Sequence, residues 1–191
     1  MVEITFITGY TPNLTYGPIG EANKRQYCQR HGYKFVCETE GFCPDRPPSW
    51  SKILFMQRCL PQSSWVFWSD ADSLITNPEI RLEGFLHDDA DLIIGEDSNG
   101  INSGQWFLRN CAWSVELLQR VWDSTEWIDH GWWEQKALME LMVQERYRER
   151  VQVVNQRLFN SYPGCWEPGD FILHFPGSDV DKEALMKGAA K

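Results

Sequence analysis

Two carboxylates one residue apart, Asp70 and Asp72, close the apolar run Trp65-Val66-Phe67-Trp68-Ser69. Such a run reads as a buried strand, so the pair falls where the chain reaches the edge of a sheet. Period-two alternation puts both side chains on one side if the extended conformation continues. Two hard oxygen ligands there suit a divalent cation, which can bridge the phosphates of a nucleotide diphosphate and stabilise charge on a departing group. The bland reading of an isolated D-x-D is a solvated turn, with one aspartate capping the next segment. Its place at a strand end favours the cation. His174, in the apolar run Phe171-Ile172-Leu173-His174-Phe175, is available as a third ligand, although a histidine in such a run is also an ordinary core residue. Imidazole beside carboxylates points to Mn2+ more than to Mg2+. His31, His87 and His130 lie in polar or loop contexts and receive no role.

The elements that must position these groups follow from the pattern. Ile4–Thr8 is a β-branched strand, followed by a Gly9-Tyr10-Thr11-Pro12-Asn13 loop. Helical spacing runs from Ile19 to His31, where Gly32 is a natural stop. Tyr33–Glu38 reads as the second strand, and Ser49 as the cap of a helix over Trp50–Leu60 that Pro61 ends. Trp65–Trp68 is the third strand. Strand, helix, strand, helix, strand implies right-handed crossovers and parallel pairing, with ligands beyond the carboxyl ends of the strands. Both the Thr8-Gly9-Tyr10 turn and Asp70-Ala71-Asp72 lie at such ends. Further on, the pattern predicts a strand at Asp91–Gly95 and a tight polar turn over Gly100–Gly104 before a strand at Gln105–Leu108. It then predicts a helix from Cys111 to Trp122 capped by Asn110, a helix from Trp133 to about Arg148, and late strands at Val151–Val154 and Phe171–Phe175. The polar tail reads as a short helix or frayed end.

Length and composition set the bounds. The 191 residues are 42% hydrophobic, enough for one well-cored domain, and no internal repeat or linker divides them. The net charge of −9 argues against a nucleic-acid partner, while leaving a nucleotide open. No apolar stretch is long enough for a membrane span, and no signal peptide leads the chain, so the expected compartment is the cytoplasm. The six cysteines show no zinc-type spacing and are expected to be reduced and mostly buried. Ten tryptophans raise the expectation of sugar binding only slightly, because most tryptophans serve cores.

Six segments in order carry a more specific signal. They are Asn23-Lys24-x-x-Tyr27-Cys28-x-x-His31-Gly32-Tyr33, then Trp50-Ser51-Lys52, then Trp68-Ser69-Asp70-Ala71-Asp72. Asn102-Ser103-Gly104-x-x-Phe107-Leu108-Arg109-Asn110-x-x-Trp113-Ser114, Glu134-Gln135-x-Ala137-Leu138 and His174-Phe175-x-Gly177 complete the set. Together they resemble family 34 of the glycosyltransferases, the galactosyl/mannosyl/xylosyltransferase family. The resemblance implies an α/β GT-A fold, a Rossmann-like mixed sheet flanked by helices, over residues 1–191 as a single domain. It implies a UDP-sugar donor, a glycan or glycoconjugate acceptor, and Mn2+ or Mg2+ held by Asp70, Asp72 and His174. Thr8, Gly9 and Tyr10 would lie near the uridine, with Lys52, Ser69, Asp70 and Ala71 also on the nucleotide side. Asn102, Ser103 and Gly104 would line the donor-sugar pocket, where a glycine lets the backbone approach a ligand. Members of the family retain the anomeric configuration, with front-face attack the usual proposal. Gln135 would then stabilise or position the sugar and Glu134 bind donor or acceptor hydroxyls, although both are also ordinary residues for a helix start.

The chain departs from the family in three ways. The membrane anchor and stem of the Golgi members are missing, the chain is smaller, and Ser178 stands where the family usually has cysteine. These departures imply a compact bacterial or viral-type version, or an excised domain. Two other readings compete: a non-catalytic nucleotide-sugar-binding module, and a D-x-D phosphatase of the haloacid-dehalogenase type. The phosphatase would carry the motif on its first strand with Thr or Val two residues on, a position held here by Leu74.

Overall fold

The structure, a computed structural model, describes residues 2–177 and 181–190; Ser178 lies outside them. Its first half follows the predicted order: β1 (Ile4–Gly9), α1 (Gly17–His31), β2 (Lys34–Glu38), α2 (Ser51–Cys59) and β3 (Trp65–Ser69). Pro18 suits the first turn of α1, where its missing N–H costs nothing, and Gly32 ends the helix at φ 76°. The chain continues through β4 (Ser73–Ile75), β5 (Leu92–Asp97), β6 (Gly100–Arg109), α3 (Ala112–Asp123), α4 (Trp133–Met142) and α5 (Glu145–Arg148). β7 (Val151–Asn155), β8 (Ile172–His174) and α6 (Lys182–Ala189) complete it.

Six strands form one sheet in the order β2-β1-β3-β6-β5-β7. β1 pairs in parallel with β2 and β3, and β5 with β7, while β6 runs antiparallel to both β3 and β5. The sheet is therefore mixed, as expected. Alternation along β3 divides the core into two layers: Val66 and Trp68 pack under α2, α3 and α4. Trp65 and Phe67 face the opposite side with Tyr27, Phe107 and Phe171. Each fully buried aromatic there contributes about 1.5–3 kcal/mol by area removed from water. Separately, β4 and β8 form a two-stranded antiparallel ribbon with Ser73 opposite His174. That register sets His174 beside Asp72. Leu74, Leu173, Phe175 and Met186 pack the ribbon against α6.

Several local expectations are corrected. Gly100–Gly104 is not a turn but the start of the ten-residue β6; the reversal falls before it, and a register shift opens between Ile94 and Glu96 of β5. The helix from Trp133 stops at Met142, because Gln144 adopts an extended backbone (φ −79°, ψ 126°) before the single turn of α5. Ser49 caps nothing: Pro48–Trp50 is a 3-10 turn, and Ser51 Oγ accepts the N–H of Cys43 instead. Cys111, not Asn110, holds the cap position of α3, while the Asn110 N–H donates to Ser64. Only Cys28 and Cys59 are buried; the other four cysteines are half-buried. Among the described residues no helix is long and apolar enough to cross a membrane.

Candidate active site

At the carboxyl ends of β1 and β3 the chain opens into a cleft of about 740 Å³. The metal-ligand candidates meet on its floor. Ligand atoms of Asp70, Asp72 and His174 all lie within 4.8 Å of one another. Continued strand does not achieve this, since β3 ends at Ser69 and a turn carries Ala71 and Asp72 into β4.

Residues of the first motif hold that turn from behind. A Cβ on Gly20 would sit 2.2 Å from the Ala71 carbonyl oxygen, so only glycine lets α1 pack against the turn. Lys24 Nζ, fully buried, donates to the Ser73 carbonyl at 2.6 Å, and Asn23 pairs with both backbone groups of Ile75. Tyr27 OH and the His31 ring reach the carbonyls of Ile80 and Pro78. His31 therefore has a structural part in the motif. Burial pushes the Lys24 ammonium down to about 8, against the pull of Asp72 and Asp70.

Each metal-ligand candidate carries its own partners. Asp70 Oδ1 accepts from Trp68 Nε1 at 2.6 Å and pairs with Lys52 Nζ at 3.0 Å. Asp72 Oδ1 lies 3.2 Å from His174 Nε2, and its other oxygen accepts from Lys182 Nζ. Burial by itself would raise the Asp72 carboxyl; His174 and then Lys182 outweigh it and hold the group well below the usual carboxylate range. Tyr16 lies nearby with Lys182 over its ring, and its hydroxyl is pushed up to about 12 by burial and then by Asp72 and Asp70. His174 packs closely on Gly104, where a Cβ would fall 2.4 Å from His174 Cε1.

Across the floor, α4 presents Glu134 and Gln135. Lys52, 4% exposed, joins the two halves of the site: its ammonium lies 2.9 Å from Glu134 Oε1, 3.0 Å from Asp70 Oδ1 and 3.1 Å from the Ser103 carbonyl. Burial would push this ammonium down, but Asp70 and Glu134 more than reverse it. Ser103 Oγ donates to Glu134 Oε1, and the Ser103 N–H donates to Gln135 Oε1 at 3.0 Å. The remaining carboxylate oxygen of Glu134, Oε2, is buried and has no hydrogen-bond partner among the described residues.

Gly9, Tyr10, Lys52, Asp70, Ala71, Asp72, Asn102, Ser103, Gly104, Glu134, Gln135 and His174 all line the cleft. Thr8 and Ser69 do not. Thr8 is buried within β1, and Ser69 Oγ is spent on Ser73 Oγ at 3.0 Å. Sequence reasoning missed Tyr16, Asp97, Asn160, Tyr162 and Lys182. Asp97 ends a strand just as the Asp70 segment does, and this was a usable signal. Asn160 and Tyr162 sit in an irregular loop with no period to mark them. Two further unforeseen wall residues are Trp132 and Trp133, 42% and 41% exposed. Trp133 starts α4 at φ 44°, a left-handed backbone costly for a bulky side chain.

Known proteins share this fold. A glycosyltransferase involved in the glycosylation of the major capsid of PBCV-1 superposes with a TM-score of 0.84 at 20% identity, over 97% of this chain and 99% of that one. A Drosophila beta-1,4-galactosyltransferase 7 mutant in complex with manganese, UDP-Gal and xylobiose superposes at 0.58 and 9% identity, over 97% and 80%. These likenesses place the fold among GT-A glycosyltransferases. In sequence, an uncharacterized alpha-1,2-galactosyltransferase of Schizosaccharomyces pombe is 28% identical over 207 residues, 83% of this chain and 55% of that protein. Xyloglucan 6-xylosyltransferase 4 of Arabidopsis thaliana is 28% identical over 204 residues, 86% and 39%. The chain thus spans about half the length or less of these curated relatives. The galactosyl transferase GMA12/MNN10 family matches residues 15–92 and 85–184, nearly the whole chain, and the chain belongs to that family.

Proposed function

We propose that this chain is a metal-dependent, retaining glycosyltransferase that moves a hexosyl, pentosyl or deoxyhexosyl unit from a UDP-sugar to a hydroxyl of a glycan or glycoconjugate. The observation that carries the reading is the convergence of Asp70, Asp72 and His174 on the floor of a cleft whose far side presents Glu134 and Gln135. Galactosyl and xylosyl relatives support the class of sugar, and the fly neighbour's manganese and UDP-Gal support the class of donor and cation.

The donor set fits the cation. Two carboxylates and an imidazole suit Mn2+ better than Mg2+, and Gly104 leaves the space the imidazole fills. Asp70, Asp72 and His174 would hold it, and when bound it supplies positive charge to the departing diphosphate. Gly9, Tyr10 and Ala71 form the wall on the nucleotide side. Thr8 and Ser69 shape that wall from beneath. Lys52 holds Asp70 and Glu134 in place, its ammonium already committed to internal acceptors. Gln135 is anchored through Oε1 on Ser103, which leaves its NH2 to position the sugar. Glu134 Oε2, a buried acceptor without a donor, takes a sugar hydroxyl. During transfer the bond from the anomeric carbon to the diphosphate oxygen breaks and one to the acceptor oxygen forms on the same face. The acceptor's proton leaves with the diphosphate. Trp132 and Trp133, both substantially exposed in the cleft wall, offer indole faces to the C–H face of an acceptor sugar.

The test is UDP release from a panel of UDP-sugars, with and without Mn2+ and candidate acceptors. Metal-dependent release that Asp72→Ala abolishes, in a variant that still folds, is expected. Undiminished activity in excess chelator would overturn the metal assignment. Donor binding without turnover on any acceptor would favour a binding module.

A further inference from the structure

We propose that Asn160 is a positioning residue: it fixes which nitrogen of His174 faces the cation, through a hydrogen-bond chain whose direction is set by one backbone N–H. The inference rests on the metal reading above and concerns residues that reading leaves without a role.

The chain begins at Gly104. A backbone N–H can only donate, and that of Gly104 lies 2.9 Å from a side-chain atom of Asn102, so that atom is the carbonyl Oδ1. Asn160 approaches the same oxygen at 3.0 Å and must present its NH2 there. The other end of the Asn160 amide is then its oxygen, 2.7 Å from His174 Nδ1. An amide oxygen only accepts, so Nδ1 carries the hydrogen. The His174 tautomer is assigned by this logic from heavy-atom positions.

The consequence falls at Nε2, which turns to Asp72 Oδ1, 3.2 Å away. With Nδ1–H tied to Asn160, Nε2 is the nitrogen left for a cation. In the metal-free site Nε2 can share a proton with Asp72 Oδ1, and a bound cation would take that proton's place between the two atoms. A ligating histidine is typically fixed in this way, by an acceptor on its other nitrogen. The ring is also held in plane. Gly104 packs against Cε1 on one side, and the Tyr162 ring meets it edge-on at 5.6 Å and 71°.

The same glycine ties in the other end of the ligand set. Its carbonyl accepts the Asp70 N–H at 2.8 Å while its N–H starts the chain to His174. Asn102 Nδ2 leans toward Asp97 Oδ2 at 3.5 Å, which Tyr162 OH also reaches at 2.6 Å, so the amide cannot rotate without losing its place. Asn160, fully buried, carries the side-chain hydrogen bonds from this frame to the imidazole. Its backbone is held by Gln156, and the next residue, Ser161, accepts the His174 N–H at 2.8 Å.

The experiment is Mn2+ binding to the full chain in the presence of UDP, read as free Mn2+ by electron paramagnetic resonance. Wild type is compared with Asn160→Leu, of similar size without an acceptor, and Asn160→Asp, which keeps an oxygen for Nδ1–H. Asn160→Leu is expected to lose about 10–100-fold in affinity, the usual effect of removing such a partner. Asn160→Asp is expected to keep most of it, although it loses the bond to Asn102. A folded Asn160→Leu that binds as tightly as wild type, or an Asn160→Asp that loses as much as Leu, overturns the proposal and leaves the metal reading standing. A wild type that binds no Mn2+ overturns both. The second measurement is independent of whether Asn160→Leu folds: nitrogen-15 NMR of Mg2+-loaded wild type, where Nδ1 protonated is expected and Nε2 protonated refutes it.

Discussion

Replacing Lys52 with methionine keeps most of the unbranched stem of the side chain and removes its charge, which isolates what the ammonium contributes. It lies 3.0 Å from Asp70 and 2.9 Å from Glu134, whose side chains are 29% and 5% exposed. Asp70 can recover water after the change. Glu134 cannot, and one of its oxygens already lacks a partner among the described residues. Breaking a buried pair by removing one member costs about 3–5 kcal/mol, mostly through the stranded charge. At about 2–4 °C per kcal/mol for a chain of this size, the melting temperature should fall by roughly 6–20 °C. The assay is urea unfolding of wild type, Lys52→Met, Glu134→Gln and the double variant, without metal. If the stranded carboxylate is the cause, neutralising it should restore stability, so the double variant should lose less than the sum of the singles by about 0.5–3 kcal/mol. Additive losses, or a Lys52→Met loss under about 1 kcal/mol, would refute the idea that this lysine holds the two halves of the site together.

Other consequences can be checked separately. Gly104→Ala puts a Cβ 2.4 Å from His174 Cε1, so it should cost about 1–3 kcal/mol in unfolding free energy and weaken Mn2+ binding measured by titration. Lys24, held at about 8 in the fold against an ordinary 10.5, binds its proton less tightly when folded. Between those values the unfolded chain carries the extra proton, so stability rises with pH across the window and the burial penalty is fully present below it. The unfolding free energy of wild type minus that of Lys24→Met should therefore climb by up to about 3 kcal/mol from pH 8 to 10.5 in denaturant titrations; a flat difference contradicts it. Trp132→Ala should raise the KM for acceptor and leave the KM for the UDP-sugar unchanged in initial-rate measurements, whereas a rise in the donor KM alone would move the indole to the nucleotide side.

What the sequence made legible is what depends on period and on strand ends. Trp65–Trp68 is an unbroken apolar run whose side chains divide between two core layers, and the end of that run announced Asp70 and Asp72. The Asn102-Ser103-Gly104 segment was misread because polar residues and glycines resemble a turn, yet all three lie in β6. There the polar atoms are consumed sideways: Asn102 orders an amide chain, Ser103 ties α4 to the floor, and Gly104 yields its Cβ space to an imidazole. Asn160 and Lys182 were invisible for a different reason. Their partners lie 14 and 110 residues away, across irregular chain, and no local propensity encodes such a meeting. Asp72 shows how the two kinds of information combine. Its position was readable, but its ionisation depends on His174, delivered by the β4–β8 register, and on Lys182, delivered by α6. Its two oxygens also divide their work: Oδ1 faces His174 Nε2 and the proposed cation position, while Oδ2 accepts from Lys182. A divalent ion held at Oδ1 therefore need not displace the lysine, and the Lys182 ammonium, which lines the cleft, adds one more positive charge on the side proposed for the leaving group.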